Sequence, residues 1–162
     1  MSDSDQVSTL LAIASNPAQL QAAQHVATQR LLAYDGEVFP SDGCAITLSV
    51  LLQDAGIAVA DTFLAFDLAR VLSERGWTDV LVGSQKAGDV GSTCGAAPVH
   101  GQDHIYMVLR PVNADEMVIA DNQASLPHFR FASGAGGKTP TRKFLRAPAD
   151  DGAPAEEGGG EG

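Results

Sequence analysis

The stretch FPSDGCAITLSVLL, Phe39–Leu52, joins a tight turn to a long apolar run. The letters SDG are typical of a turn, and Cys44 follows them directly. The run is apolar on nearly all sides and closes on Gly56, which predicts a buried helix over Cys44–Ala55 with a glycine at its C-terminal end. Cys44 is therefore expected at the start of a helix.

A thiol at that position has two interpretations. The first N–H groups of a helix have no intrahelical partner, and their field favours a thiolate and lowers the pKa of Cys44. That is how a nucleophile is prepared. The alternative is that Cys44 is a small apolar residue of a core helix. The Asp-Gly turn in front of it favours an accessible helix start and so supports a nucleophile, but this stretch alone leaves both interpretations open.

The rest of the chain divides into helices followed by strands. Three further helices are predicted, namely Gln6 to Ala14, Pro17 to Leu32 with Asn16 as its N-cap, and Asp61 to Arg75 with Asp61 or Thr62 as its N-cap. After Trp77 the chain has short β-type runs separated by turn residues: DVLVG, HIYMVLR, EMVIAD, HFRF and RKFLR. This order predicts an α+β fold with an antiparallel sheet and helices on one side.

Length and charge limit the number of domains and the partners. With 162 residues and 44% hydrophobic residues, the chain fits one domain, residues 1–146, made of N-terminal helices (1–33) and a core (34–146). The tail, residues 147–162, is rich in glycine and acidic residues and is expected to be disordered. A net charge of −10 argues against a nucleic-acid partner. Five bases between Arg130 and Arg146 are expected to form a solvated edge or a surface for an anionic ligand.

The start of the chain lacks the pattern of a secretory signal, and no apolar stretch is long enough to span a membrane. We therefore expect a soluble protein without a membrane partner.

The two cysteines are expected to be free thiols, although a regulatory bridge between Cys44 and Cys94 stays open. Cys94, His100 and His104 are zinc-ligand types at tolerable spacing. Their segment is a glycine- and proline-rich loop without a second cysteine pair, so neither a metal nor another cofactor is expected.

A nucleophilic thiol needs a base. Of the four histidines, His25 lies in a predicted helix, His100 in a glycine-rich loop, and His128 at the start of a late strand. His104 begins the strand HIYMVLR, where a loop gives the ring access and the strand gives it direction. His104 is the preferred base.

The residue that orients the base follows from the register of the hairpin HIYMVLRPVNADEMVIADNQ, His104–Gln123. Pairing Tyr106 with Ile119 and Val108 with Met117 leaves Pro111–Ala114 as the loop. His104 then faces Asp121, with both side chains on the same face of the sheet. A shift of one residue would place Asn122 there instead, and either side chain can hold the imidazole.

Three segments carry a resemblance to a known family. Tyr34 with FPSDGC, then AGDVG (Ala87–Gly91), then DHIYMVLRPVNADEMVIADNQ resemble, in this order, the NlpC/P60 and CHAP superfamily of papain-like cysteine hydrolases. The resemblance runs from Tyr34 to Gln123. The residues after the cysteine, Ala45 and Ile46, depart from the family's usual Ser-Gly or Thr-x-Tyr, and Asp121 replaces its more usual His, Glu or Asn.

The resemblance implies a papain-like fold and a role for each matching residue. Cys44 would be the nucleophile, His104 the base and Asp121 the orienting acid of a cysteine hydrolase. Tyr34, Asn122 and Gln123 would serve the oxyanion or the substrate. The reaction implied is thiolate attack on an amide, with the Cys44 backbone N–H at the oxyanion, followed by hydrolysis of an acyl-enzyme.

The substrate implied by the resemblance is an amide bond of bacterial peptidoglycan, cut by a stem-peptide endopeptidase or an amidase. Such an enzyme would act in the cell wall or periplasm after non-classical export or lysis. The alternatives are an exported toxin that cleaves or deamidates a protein, with an immunity protein as partner, and a binding module without turnover.

Overall fold

The computed structural model describes residues 2–39 and 42–148, and it contains four helices followed by six strands. The helices are α1 (Asp3–Ser15), α2 (Pro17–Asp35), α3 (Cys44–Asp54) and α4 (Ala65–Glu74). The strands are β1 (Thr78–Val80), β2 (Val90–Ser92), β3 (Ile105–Pro111), β4 (Glu116–Ala120), β5 (His128–Phe131) and β6 (Lys143–Arg146). Ser41 of the predicted turn and residues 149–162 of the predicted tail lie outside the described residues.

The strands form one antiparallel sheet in the order β1-β6-β2-β3-β4-β5. The last strand, β6, therefore returns to pair between β1 and β2. The predicted α+β class, with helices first and an antiparallel sheet after them, is confirmed. None of the helices in the described residues is long and apolar enough to cross a bilayer.

The two faces of the sheet carry separate apolar clusters. Val90, Ile105 and Met107 pack with the helices in the larger cluster. Tyr106, Val108 and Ile119 lie in the smaller one, on the other face. Alternate residues of a strand point to opposite faces, so His104 shares the face of Tyr106. Beyond β6, Ala147 packs against the larger cluster.

The helix ends agree with the sequence signals at three places. Asn16 caps α2 by accepting a hydrogen bond from the Gln19 N–H, and Pro17 is its first residue. Gly56 and Gly76 follow α3 and α4 with positive φ values of 91° and 92°, which glycine adopts at low cost.

The predicted start of the fourth helix is wrong by four residues. It begins at Ala65 because the two predicted caps have other partners. The Asp61 carboxylate accepts hydrogen bonds from Arg30 and Gln53, and the Thr62 N–H donates to Ser49 Oγ. Asp61 and Thr62 therefore connect this segment to α2 and α3, and Leu64 occupies the N-cap position of α4.

The predicted register of the central hairpin is also wrong. Met107 pairs with Ala120 and Val108 with Ile119, and a bulge at Leu109 shifts the register by one residue beyond it. Near the site the observed register differs from the predicted one by two residues, and the loop is 112–115 instead of Pro111–Ala114. Because a shift of two residues preserves the face of every side chain, His104 and Asp121 remain diagonal neighbours.

Gly91 of the AGDVG segment lies directly beneath the Tyr106 ring, its partner across β2 and β3. A Cβ at this position would overlap three ring atoms of Tyr106. We expect Gly91→Ala to lower the free energy of unfolding by about 1–3 kcal/mol, the usual cost of overpacking, in urea denaturation. Gly95→Ala is the control, because its Cβ would meet only the flexible end of Arg142, and it should change stability by less than about 0.5 kcal/mol. Equal stability of the two variants would contradict this account.

Candidate active site

Cys44 is the first residue of α3, as the sequence predicts. The turn before it holds Asp42 at a φ of 55°, a left-handed conformation that Asp tolerates better than most residues. The first backbone hydrogen bond of the helix runs from the Thr47 N–H to the Gly43 carbonyl, so the N–H groups of residues 44–46 precede the intrahelical ladder. The thiol is nevertheless buried, with 8% of the residue exposed.

Burial raises the pKa of the Cys44 thiol to about 11, although the backbone N–H groups of Ile105 and Ala45 act in the opposite direction. Desolvation therefore outweighs the helix start, and the predicted lowering of this pKa is wrong for this conformation. At neutral pH the side chain is a neutral thiol. A nucleophile made from it must give its proton to a base during the reaction.

Alkylation of Cys44 gives a direct test of this protonation state. With a pKa of about 11, the thiolate fraction at pH 7 is on the order of 10⁻⁴, against a few per cent for an unperturbed thiol. We expect the labelling rate to be slow at pH 7 and to rise about ten-fold per pH unit up to pH 10. Peptide mapping after timed exposure to iodoacetamide measures the labelling rate of Cys44. Fast labelling at pH 6–7 would instead show a thiolate held by an imidazolium.

The backbone of His104 is held by Thr93, the residue that follows β2. Its N–H donates to Thr93 Oγ1 at 2.8 Å, and its carbonyl accepts from the Thr93 N–H at 3.1 Å. His104 Nε2 lies 2.8 Å from Asp121 Oδ2, and the imidazole is 8% exposed. Because an ionised carboxylate only accepts, Nε2 carries the proton, and Nδ1 is the basic atom of the neutral ring.

Asp121 is fully buried and connects two histidines. Its Oδ2 accepts from His104, and its Oδ1 accepts from His128 Nε2 at 2.8 Å and from the Gln123 N–H at 2.9 Å. Burial alone would raise the pKa of Asp121, but the hydrogen bonds from His104 and His128 more than offset it and hold the pKa well below its usual range. Gln24 of α2 donates to the Asp121 carbonyl at 2.8 Å and fixes the segment to the helices.

His128 is a site residue that the sequence interpretation missed. The prediction placed it at the start of a late strand without a role. β5 pairs with β4 so that His128 lies opposite Ile119, two residues from Asp121. Only the pairing of these two strands brings His128 to Asp121, and no motif in the sequence specifies that pairing.

A cleft of about 630 Å³ contains both Cys44 and His104. Its other walls include Asn122, Gln123 and Arg130. A smaller cleft of about 210 Å³, lined by Phe63 and other apolar side chains, shares Cys44 with it. The polar cleft and the apolar cleft thus meet at Cys44. This arrangement suits a substrate that occupies both clefts and passes over the thiol.

The structure brings some of the predicted site residues together and separates others. His104 and Asp121 are in contact, and Cys44, Asn122 and Gln123 line the same cleft as His104. Within the described residues, no hydrogen bond joins Cys44 Sγ to the His104 ring. The Cys44 thiol instead lies 4.0 Å from the Asp103 carbonyl.

Tyr34 lines neither of these two clefts. Its ring is 61% exposed and stacks on Phe63 at a centroid distance of 3.9 Å. Since Phe63 lines the apolar cleft, Tyr34 contacts a residue of its wall without lining the cleft itself.

The zinc alternative is not assembled in the described residues, because Cys94, His100 and His104 do not come together. A different set of possible metal ligands does come together at the rim of the cleft. Its atoms lie within 4.8 Å of one another and belong to Glu37, Asp42 and His100. His100 Nε2 lies 3.2 Å from Asp42 Oδ2, and the hydrogen bond with Asp42 raises the pKa of Glu37. Cys94 and Cys44 are both free, buried thiols.

Comparisons with protein families, with curated proteins and with solved structures found no match. The molecule itself defines its class: an α+β protein in which a buried carboxylate, Asp121, binds His104 and His128, and in which His104 lines the same cleft as a helix-start cysteine.

Proposed function

We propose that this protein is a cysteine hydrolase that cuts amide bonds with Cys44, His104 and Asp121. The observation that carries the proposal is the buried His104–Asp121 pair, with its Nε2–Oδ2 distance of 2.8 Å, in which His104 lines the same cleft as Cys44. A carboxylate that fixes the tautomer of an imidazole next to a thiol is the arrangement that nucleophilic catalysis needs.

The reaction would proceed in two halves. His104 Nδ1 accepts the proton of Cys44 Sγ as the sulfur attacks the amide carbonyl carbon, and the Cys44 N–H at the helix start stabilises the oxyanion. The C–N bond then breaks, the amine leaves with the proton from His104, and a thioester remains. Water, deprotonated by His104, attacks the thioester and releases the acid and the thiol. Because catalytic hydrogen bonds often tighten only with substrate bound, the missing Cys44–His104 hydrogen bond is compatible with this role.

The proposed substrate is a peptide amide of bacterial peptidoglycan, which the resemblance of residues 34–123 to NlpC/P60 and CHAP hydrolases implies. The same proposal includes a papain-like core for the α+β fold. If the enzyme acts as a toxin, its partner would be an immunity protein that covers the cleft.

The test is digestion of purified sacculi followed by mass analysis of the soluble fragments, with Cys44→Ala protein as the matched control. New fragments that end at one amide bond, seen only with the intact thiol, would support the proposal and identify the bond. Unchanged sacculi would exclude peptidoglycan. The same pair of proteins would then be incubated with protein substrates to test cleavage or deamidation.

A further inference from the structure

The five bases between Arg130 and Arg146 do not form one solvated edge. Arg146 pairs with Asp89 at 2.8 Å, and Lys143 with Asp79 at 3.2 Å. Arg130 differs from both, because it is only 4% exposed and no carboxylate of the described residues forms an ion pair with it. It is therefore a buried cation without an anionic partner.

The surroundings of Arg130 hold the guanidinium in place without neutralising it. Nη2 donates to the Thr139 carbonyl at 2.7 Å, and the guanidinium carbon lies 5.1 Å from the centroid of the Tyr106 ring. Nε is buried and has no hydrogen-bond partner in the part of the chain that the structure describes. A buried charge is costly unless an anion pairs with it, so this arrangement is suited to a ligand that brings the anion.

The position of Arg130 identifies where such an anion would bind. Arg130 lines the same cleft as Cys44 and His104, and Lys138 of the adjoining loop lines it as well. The two acidic side chains of this cleft have other partners, Asp42 the His100 ring and Asp103 the Val99 N–H, and among the described residues neither forms an ion pair with Arg130 or Lys138. The side of the cleft formed by Arg130 and Lys138 is thus the cationic one.

We propose that Arg130, assisted by Lys138, binds a free carboxylate of the substrate and makes the enzyme selective for amides of acidic peptides. This inference rests on the proposed hydrolase function, since it names the substrate class of the same cleft. A planar guanidinium matches the two oxygens of a carboxylate, and a neutral amide in the same place would leave the cation unpaired. Arg130 is a specificity residue in this assignment and takes no part in bond cleavage.

Binding is tested without turnover, using the full chain with Cys44→Ala. The probes are acetyl-alanyl-glycine and its C-terminal amide, which differ in one carboxylate. We expect the acid to bind roughly 30-fold more tightly than the amide, as for the loss of one partner of a buried charge pair. In ¹H–¹⁵N NMR spectra, the Nε–H signal of Arg130 should move with the acid and stay fixed with the amide.

Variants identify the side chain responsible. Arg130→Met should remove the preference for the acid, Lys138→Gln should weaken it by a few-fold, and Arg110→Gln, at an exposed arginine of β3, should leave it unchanged. If Arg130→Met does not fold, Arg130→Lys replaces it as the variant. The affinities of the parent protein for the two probes also test the proposal. Equal affinity for acid and amide, or an intact preference in Arg130→Met, would overturn the proposal.

The outcomes separate this inference from the proposed function. Selective binding of the acid, combined with no amide hydrolysis by the wild-type chain, would refute the hydrolase and leave a carboxylate-binding cleft. Hydrolysis by the wild-type chain with no preference for the acid would refute the role of Arg130 alone.

Discussion

Replacement of Cys44 by alanine is expected to reduce amide hydrolysis by about a thousand-fold or more, since no other group can form the thioester. The fold should survive, because the change removes one buried sulfur from a helix start whose backbone hydrogen bonds do not involve the side chain. Turnover of sacculus fragments and the melting temperature, measured on the same preparation, test both parts.

Cys94→Ala is the matched control, because Cys94 is also a buried free thiol but does not line the cleft that contains His104. It should retain most of the activity. Loss of activity in Cys94→Ala with normal activity in Cys44→Ala would reverse the assignment of the nucleophile. A disulfide between Cys44 and Cys94 in the wild-type protein, with activity restored by a reductant, would indicate the regulatory bridge that the sequence leaves open.

Asp121→Asn is expected to reduce turnover by about 10²–10⁴-fold, the range in which removing the charge behind a catalytic histidine falls. The amide can donate to a ring nitrogen as well as accept, so it no longer enforces the tautomer with the proton on His104 Nε2. It also removes the charge that two imidazoles share. A pH–rate profile and NMR titration of the histidines measure the effect.

The same carboxylate stabilises the fold in a pH-dependent way. Because the folded protein holds the pKa of Asp121 below its unfolded value, its contribution is fully present above about pH 4 and is lost as the pH falls through the lower folded pKa. Asp121→Asn should therefore be less stable than wild type at pH 7, and the difference should shrink in acid.

Two variants show which contact of Asp121 matters. His128→Gln keeps a donor near Asp121 Oδ1 and should cost far less activity than Asp121→Asn, since His128 would only position the carboxylate.

Asn122→Ala tests whether Asn122, and not Asp121, is the residue that orients His104. If Asn122→Ala inactivates the protein while Asp121→Asn leaves the rate and the histidine titration unchanged, the third member of the triad is Asn122.

Local sequence signals were sufficient where neighbouring residues decide the outcome. The helix start at Cys44, the Asn16 cap and the glycines that end α3 and α4 depend on a few consecutive residues. The alternation of side chains along a strand is equally local. It placed His104 and Asp121 on one face, and the pair survived an error of two residues in the register because that error preserves the face.

Pairing between distant segments decided the strand register, the partners of Asp121 and the protonation of Cys44. The register of β3 and β4 depends on the bulge at Leu109, and the contact of His128 with Asp121 depends on how β5 pairs with β4. The protonation of Cys44 was decided in the same way. The helix start favours the thiolate, but the pKa also depends on how much water the folded chain removes from the sulfur, and segments some sixty residues away, such as the Asp103 carbonyl, cover it. Local sequence therefore fixed the helix start at Cys44 and the shared face of His104 and Asp121, whereas tertiary packing fixed the partners of Asp121 and the protonation of Cys44, because desolvation and strand pairing are properties of the whole fold.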